Sequence, residues 1–388
     1  MNNFMFKNPT KLIFGRDTVQ RIGEEVKESG IDKVLLLYGK GSIYKNGIYE
    51  AAVKALKENG IEFKELSGVK ANPELSKVHE CIEVLKKENL QGIIAIGGGS
   101  VIDTAKAAAA GARYESDIWQ VFEGNGEIKE AIPIFTVLTI SSAGSEMNSC
   151  CIMTNEDENK KMAFTSDYIY PKVSIVDPAA QFTLSKEQTV NGAIDVMSRV
   201  LELYFEGVKN SDVMDEVLEG ILRTIIKHVQ VLINEPDNYN SRAELALCAV
   251  LPTNGYYSIG TKGCPLVSHQ LEHPLSIFFD IAPGAGLSIV FPSWMKYVYK
   301  YNIKKFVRFA NKIFGIEQGT EDERVLKAIE LLRDFYKSLG APVSLKEAGI
   351  RYEDLAKLAA NAAELGNART IWVLGKEDIL QIYKLSYE

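Results

Sequence analysis

At 388 residues, 46% of them hydrophobic and 24% charged, the chain has an ordinary globular composition and enough length for two cores. A formal net charge of -7 argues against a nucleic-acid partner, and no stretch reads as a secretory leader or as long enough to span a bilayer, so a cytoplasmic protein without a membrane partner is expected. Cys81, Cys150, Cys151, Cys248 and Cys264 show no paired spacing and read as reduced thiols, which excludes a disulfide framework or a zinc ribbon.

In chain order, residues 11–15 (KLIFG) predict a short strand, and Thr18 to Ser29 an amphipathic helix ended by Gly30. Val34 to Tyr38 predicts a buried strand running into Gly39-Lys40-Gly41-Ser42. A helix over about Tyr44 to Asn59, a strand from Phe63 to Leu66 and a helix from Glu74 to Glu88 follow. The apolar run Gly92 to Ile96 then leads into Gly97-Gly98-Gly99 and an alanine-rich helix. Ser100 and Asp103 form an S-x-x-D pattern, which predicts a capping box at the helix start. Backbone N–H groups there, with about half a positive charge from the helix dipole, make an anion site, and glycines without Cβ allow a pyrophosphate to approach.

Further strands are expected at Ile134 to Ile140 and Val173 to Val176. Between them Cys150 to Thr154 and Met162 to Thr165 predict a hairpin with an exposed acidic tip at Asn155-Glu156-Asp157-Glu158-Asn159. Alternating strands and helices imply βαβ units and a mostly parallel sheet. After Leu184 helical periodicity dominates. The expected fold is an α/β, Rossmann-like dinucleotide-binding domain over residues 1–183, followed by an all-α domain over 184–388.

Four motifs then fall in one order: Phe6-Lys7-Asn8-Pro9-Thr10 with Phe14-Gly15, GGGSVIDTAK at Gly97 to Lys106, LTISSAGSEMN at Leu138 to Asn148, and the segment Gly192 to Glu202. In these the chain resembles the iron-containing (group III) alcohol dehydrogenases, closest to their butanol dehydrogenase branch. The resemblance implies a homodimer and hydride transfer between NAD(P)H and a small aldehyde or alcohol in the cleft between the two domains. By similarity Gly98, Gly99 and Ser100 hold the pyrophosphate, and Asp103 supports that turn. Thr139, Ser142 and Ser145 contact phosphate or nicotinamide ribose, Lys161 lies near the ribose, and Thr183 with Leu184 covers the adenine. The loop Gly39-Lys40-Gly41-Ser42, with Lys45 beyond it, offers donors and positive charge and no acid, which favours NADP(H) over NAD(H).

The family binds its metal through an aspartate and three histidines. Here Asp195 and His269 match, but Arg199 stands at the second position and Pro283 at the fourth, and neither can ligate a cation. A catalytic zinc normally needs three protein ligands. A guanidinium about 4 Å away opposes each positive unit of the metal by ~4 kcal/mol at an effective dielectric of 20. A divalent iron or zinc centre is therefore expected to be empty or strongly weakened. Three readings stay open: Arg199 polarises the carbonyl and His273 relays a proton; His273 substitutes as a ligand beside Asp195 and His269; or a cofactor-binding pseudoenzyme remains. A remote alternative is a zinc peptidase, from the H-x-x-E-H string His269-Gln270-Leu271-Glu272-His273.

Overall fold

Short apolar strands separated by helices build a parallel sheet, and the computed structural model describes it within residues 2–206, 211–256, 259–260, 266–364 and 373–388. Cys264 lies outside the described residues, and among them no disulfide links Cys81, Cys150, Cys151 or Cys248. The chain divides into two compact units. One is Lys7–Ser185 with Glu235–Asn254; the other comprises the described residues of Met1–Phe6, Lys186–Asn234 and Gly255–Glu388.

The first unit begins with β1 (Lys11–Phe14), a 3-10 turn at Thr18–Arg21 and α1 (Ile22–Glu28). Next come β2 (Lys33–Tyr38), α2 (Ser42–Lys45), α3 (Ile48–Glu58), β3 (Glu62–Leu66) and α4 (Leu75–Lys87). Then follow β4 (Gly92–Gly97), α5 (Gly99–Gly111), α6 (Trp119–Phe122), β5 (Ile134–Leu138), the hairpin strands β6 (Cys150–Asn155) and β7 (Lys160–Thr165), and β8 (Val173–Val176). Among the described residues the main sheet runs β1-β8-β5-β4-β2-β3, all parallel, while β6 and β7 pair antiparallel.

Side chains alternate across the sheet as the strand period requires. Val34, Leu36, Ile94, Ile96, Phe135 and Val137 face one way, with Ile22 and Val26 of α1 and Ala52 and Leu56 of α3. Leu35, Leu37, Ile93, Ala95 and Leu138 face the other, with Val78 and Leu85 of α4 and Ile102 and Ala105 of α5. Burying a large aliphatic side chain in such a layer stabilises by ~1.5–3 kcal/mol. Because both faces are covered, the strands read as continuous apolar runs.

Two predicted helices are interrupted. Thr18 to Ser29 opens as a 3-10 turn after Asp17, whose φ is 60°. Tyr44 to Asn59 breaks at Gly47 (φ +73°), where the Asn46 side chain accepts from Ile48 N–H and donates to Ala180 C=O. The acidic tip of the hairpin is also not merely exposed. The Glu156 carboxylate accepts from the N–H groups of Leu75 (3.1 Å) and Ser76 (3.3 Å), capping α4 from the hairpin. Burial opposes its charge, but these bonds outweigh burial and hold its pKa below the ordinary value.

After residue 185 come α7 (Lys186–Glu206), α8 (Asp212–Leu232) and α9 (Tyr239–Thr253). The helices α10 (Val267–Phe279), α11 (Pro283–Val298), α12 (Ile303–Phe314), α13 (Glu321–Leu339), α14 (Leu355–Glu364) and α15 (Lys376–Leu385) complete the described residues. A continuous division at residue 183/184 misses α9, which belongs with the sheet. Gly144 explains the attachment: a Cβ there would lie 1.7 Å from Thr253 Oγ1 and 2.8 Å from Ala249 C=O. Asn8 adds a second tie, its amide donating to Met147 C=O and Asn254 C=O. The helical unit has its own aromatic core, in which Phe205 stacks on Phe306 at 4.1 Å between centroids and contacts Phe309 and Trp294. No helix among the described residues is long and apolar enough to cross a membrane.

Candidate functional site

In the sheet-containing unit, β4 and β2 are neighbours, yet the chain leaves β4 toward β5 and leaves β2 toward β3, on opposite sides. That is a topological switch point, where open α/β sheets bind ligands beyond the carboxyl ends of the strands. The glycine turn after β4 and Gly39 after β2 meet there: a Cβ on Gly39 would lie 3.4 Å from Val69 C=O and 4.0 Å from Val101 Cγ2, in the first turn of α5. Thr139 N–H bonds Gly97 C=O at 3.0 Å, bringing the segment after β5 to the same edge. The 3-10 turn before Thr183 and Leu184 joins it through Gln181, whose amide donates to Ser141 Oγ (2.8 Å) and accepts from Ser141 N–H (3.3 Å). Thr183 itself is exposed and Leu184 half-buried.

The start of α5 differs from the expected capping box. Gly98 is the N-cap and Ser100 is the second helical residue. The Ser100 hydroxyl donates to Ala71 C=O, and Asp103 faces away from the helix start, accepting from Ser145 Oγ (2.5 Å) and Ile152 N–H (3.2 Å). Intrahelical bonding begins where Val101 N–H reaches Gly98 C=O, so the N–H groups of Gly99 and Ser100 precede the first bond. The glycines also have a packing reason that the sequence reading lacked. A Cβ on Gly97 would meet Val101 Cγ2 at 2.4 Å, and one on Gly98 would meet Ile140 Cγ2 at 2.2 Å. Only Gly99 would make an ordinary contact, 3.4 Å from Ala143 Cβ.

A hydroxyl has one hydrogen to give. Ser100 and Ser145 both direct theirs to protein acceptors here, Ala71 C=O and the Asp103 carboxylate, and the turn also offers backbone N–H groups. Ser142 is half-buried in the same segment, whereas Gly41 and Ser42 are exposed beside the equally exposed Lys40. Lys161 is buried on β7, and its ammonium donates to Asn72 Oδ1 at 3.3 Å. Asn72 escaped the sequence reading. Its loop, after β3, lies against the switch point through Gly68 N–H to Gly39 C=O (2.7 Å) and the Ser100–Ala71 bond, and the Asn-Pro pair was its only local signal.

In the helical unit, Asp195, Arg199 and Glu202 follow at i, i+4 and i+7 on α7, which places them along one face. Arg199 Nε lies 3.2 Å from Asp195 Oδ1, and His269 Nε2 lies 3.1 Å from that same oxygen. His269 Nδ1 is 3.2 Å from Glu202 Oε2, while Ser268 donates to Glu202 Oε1 through its N–H (2.7 Å) and its hydroxyl (2.6 Å). Burial and then Arg199 oppose charge on His269, but Glu202 and Asp195 outweigh them and its pKa is raised. Burial likewise opposes charge on Glu202, and His269 with Ser268 overcomes it, so its pKa is lowered.

Glu202 and Ser268 were not singled out from the sequence, although the i+7 spacing from Asp195 would have found the first. His273, half-buried, sits one turn after His269 on α10. Pro283 occupies the first position of α11, where its missing N–H costs nothing. That helix start is wedged: a Cβ on Gly284 would lie 2.0 Å from Asn191 C=O, and one on Gly286 would lie 2.7 Å from Glu272 Cγ. Glu272, the base of the peptidase alternative, is buried there and takes the Ser276 hydroxyl hydrogen.

The family model "Iron-containing alcohol dehydrogenase" matches residues 9–178, and "Fe-containing alcohol dehydrogenase family, C-terminal" matches residues 189–387. The chain is 40% identical to a probable NADH-dependent butanol dehydrogenase 1 of Bacillus subtilis (strain 168), with all of both chains covered. It is 30% identical to an NADPH-dependent aldehyde reductase of Escherichia coli (strain K12), with 94% of each covered. The crystal structure of an NADH-dependent butanol dehydrogenase A from Thermotoga maritima superposes with a TM-score of 0.98 at 51% identity, covering 100% of this chain and 99% of that one. With both family models matched in sequence over nearly its whole length, the chain belongs to the iron-containing alcohol dehydrogenase family.

Proposed function

We propose that the protein is an NAD(P)H-dependent alcohol dehydrogenase that reduces small aldehydes, and that it works without the four-ligand metal centre of its family. The observation that carries the cofactor half is the switch point: backbone N–H groups of Gly99 and Ser100 at the start of α5, beside the glycine turn after β2. The relatives named as butanol dehydrogenases and as an aldehyde reductase supply the substrate class.

The donor set does not fit a dication. Asp195 Oδ1 is shared by Arg199 and His269, and both nitrogens of His269 face carboxylates. Arg199 cannot lose its proton, and Pro283 has no donor atom. The chemistry falls instead to the charges present. A bound reduced nicotinamide would supply the hydride for the carbonyl carbon; the Arg199 guanidinium, oriented by Asp195, would stabilise the oxygen as it becomes an alkoxide. A fixed donor of this kind is worth ~3–4 kcal/mol. His273 delivers the proton to that oxygen and recovers one from solvent, so the products are the alcohol and the oxidised cofactor.

Preference for NADPH rests on the exposed Lys40 in the turn after β2, which has no acid to repel a 2′-phosphate. The names of the two butanol dehydrogenases point to NADH instead. The homodimer and the cytoplasmic location stay with this reading, and sedimentation velocity tests the first.

The deciding assay follows loss of reduced cofactor with butanal, using NADPH and NADH in turn, after dialysis against a chelator. Turnover that survives chelation, with the larger kcat/KM for NADPH, is the expected result. Cofactor binding without turnover identifies a pseudoenzyme, the second reading, which the non-fitting donor set favours. Activity that vanishes on chelation and returns with iron overturns the metal-free mechanism.

A further inference from the structure

Lys106 stands in an alanine run, where an apolar side chain would pack at no electrostatic cost, yet it is wholly buried. Burial pushes its pKa down, while Asp103 favours the charged form. Its three ammonium hydrogens match three acceptors: Ser145 Oγ (2.9 Å), Asn148 Oδ1 (2.9 Å) and Cys150 C=O (2.8 Å). All three lie on the stretch that runs from the end of β5 into the first residue of β6. One turn earlier on α5, Asp103 takes the Ser145 hydroxyl of that stretch and the Ile152 N–H of β6. The helix therefore grips this segment with a cation and an anion at i+3 spacing, and Ser145 Oγ accepts from one and donates to the other.

The gripped segment is the one that faces the glycine turn. Ile140 packs where a side chain on Gly98 would go, and Ala143 lies against Gly99. Where it is anchored sets how far residues 140–145 stand from the N–H groups that open α5.

We infer that Lys106 is a positioning residue for the dinucleotide, fixing the width of the slot between the glycine turn and the segment after β5. The inference rests on the cofactor reading above and assigns Lys106 no contact with substrate or cofactor. Loss of the ammonium takes one donor from each of Ser145 Oγ, Asn148 Oδ1 and the Cys150 carbonyl, leaving Asn148 Oδ1 only the Cys150 N–H, and lets the segment move, so the cost falls on cofactor affinity.

The test uses the full chain. NADPH and NADH are titrated by fluorescence into wild type, Lys106→Met, Ser145→Ala and the double variant, with KM and kcat for butanal reduction measured where turnover exists and thermal melts recorded for each. Lys106→Met should raise the cofactor dissociation constant by about tenfold or more, with kcat within about threefold. Because Lys106 acts through Ser145, the double variant should bind no more weakly than Lys106→Met alone. A folded Lys106→Met with unchanged affinity, or single effects that multiply in the double variant, overturns the inference and leaves only a structural role. If Lys106→Met does not fold, Asn148→Ala removes one of the three acceptors and should raise the dissociation constant by a smaller factor; no rise overturns the inference. Wild type that binds neither NADPH nor NADH sinks the cofactor reading and this inference with it, which separates the two failures.

Discussion

Arg199 reaches back one helical turn to Asp195, with Nε 3.2 Å from Oδ1. His269 approaches the same oxygen from α10 at 3.1 Å. In the proposed mechanism the fixed guanidinium charge at this carboxylate serves a developing negative charge on a substrate and opposes a metal ion.

Returning the family residues should reverse this. The double variant Arg199→His with Pro283→His removes the guanidinium and supplies two imidazoles in its place. After anaerobic incubation with iron(II) or zinc and desalting, it should retain about one metal per chain and gain metal-dependent butanal reduction. Metal analysis checks the first part and steady-state kinetics the second. A double variant that neither holds metal nor gains activity would show that the pocket has been aligned wrongly.

Arg199→Met tests the charge alone. Methionine keeps much of the stem volume and cannot polarise an oxygen, so kcat for aldehyde reduction should fall by about a hundredfold or more, with cofactor affinity unaltered. A variant with wild-type kcat would remove Arg199 from the mechanism.

Most of the strand and helix order was legible because a sheet covered on both faces leaves continuous apolar runs in the sequence, as in Val34 to Leu37 and Ile93 to Ile96. What local patterns missed was set at long range. Ser100 and Asp103 have capping-box spacing, but Ala71 and Ser145 take their side chains and the N-cap is Gly98, two residues earlier. Helix α9 lies among helical neighbours in sequence, yet Gly144 draws it to the sheet through a close approach that no periodicity encodes. Asp195, Arg199, His269 and Pro283 were named from motif register, and the first three lie together, whereas Glu202 enters through His269 and Ser268 through Glu202.

Gly144 makes the second of these points measurable. It has φ +64°, and Thr253 Oγ1 and Ala249 C=O fill the space where a Cβ would go. Gly60 has a similar φ of +68° with nothing within 4 Å of such a Cβ. Gly60→Ala should therefore cost only backbone strain, ~1 kcal/mol, whereas Gly144→Ala should cost ~2–4 kcal/mol because α9 must also shift. Chemical denaturation of both variants decides; equal losses would mean that α9 is not held by this approach.

Glu146, next in sequence to Ser145, gives a pH-dependent prediction. Its carboxyl is 1% exposed, and Oε1 has no hydrogen-bond partner among the described residues. Burial raises its pKa from the ordinary 4.5 to about 7; a backbone hydrogen bond and Lys106 pull it down, and Asp103 adds a smaller push upward. Between those two pH values the native chain holds a proton that the unfolded chain has lost, so this group makes stability fall as pH rises through the window and leaves the deficit in place above pH 7. Glu146→Gln keeps the shape and cannot ionise. It should match or fall slightly below wild type near pH 4.5 and exceed it above pH 7 by up to ~3 kcal/mol. Thermal midpoints of the two proteins at pH 5 and pH 8 measure the effect. A difference between them that stays constant from one pH to the other would place the carboxyl's titration outside this range and remove its link to the buried charges of Asp103 and Lys106.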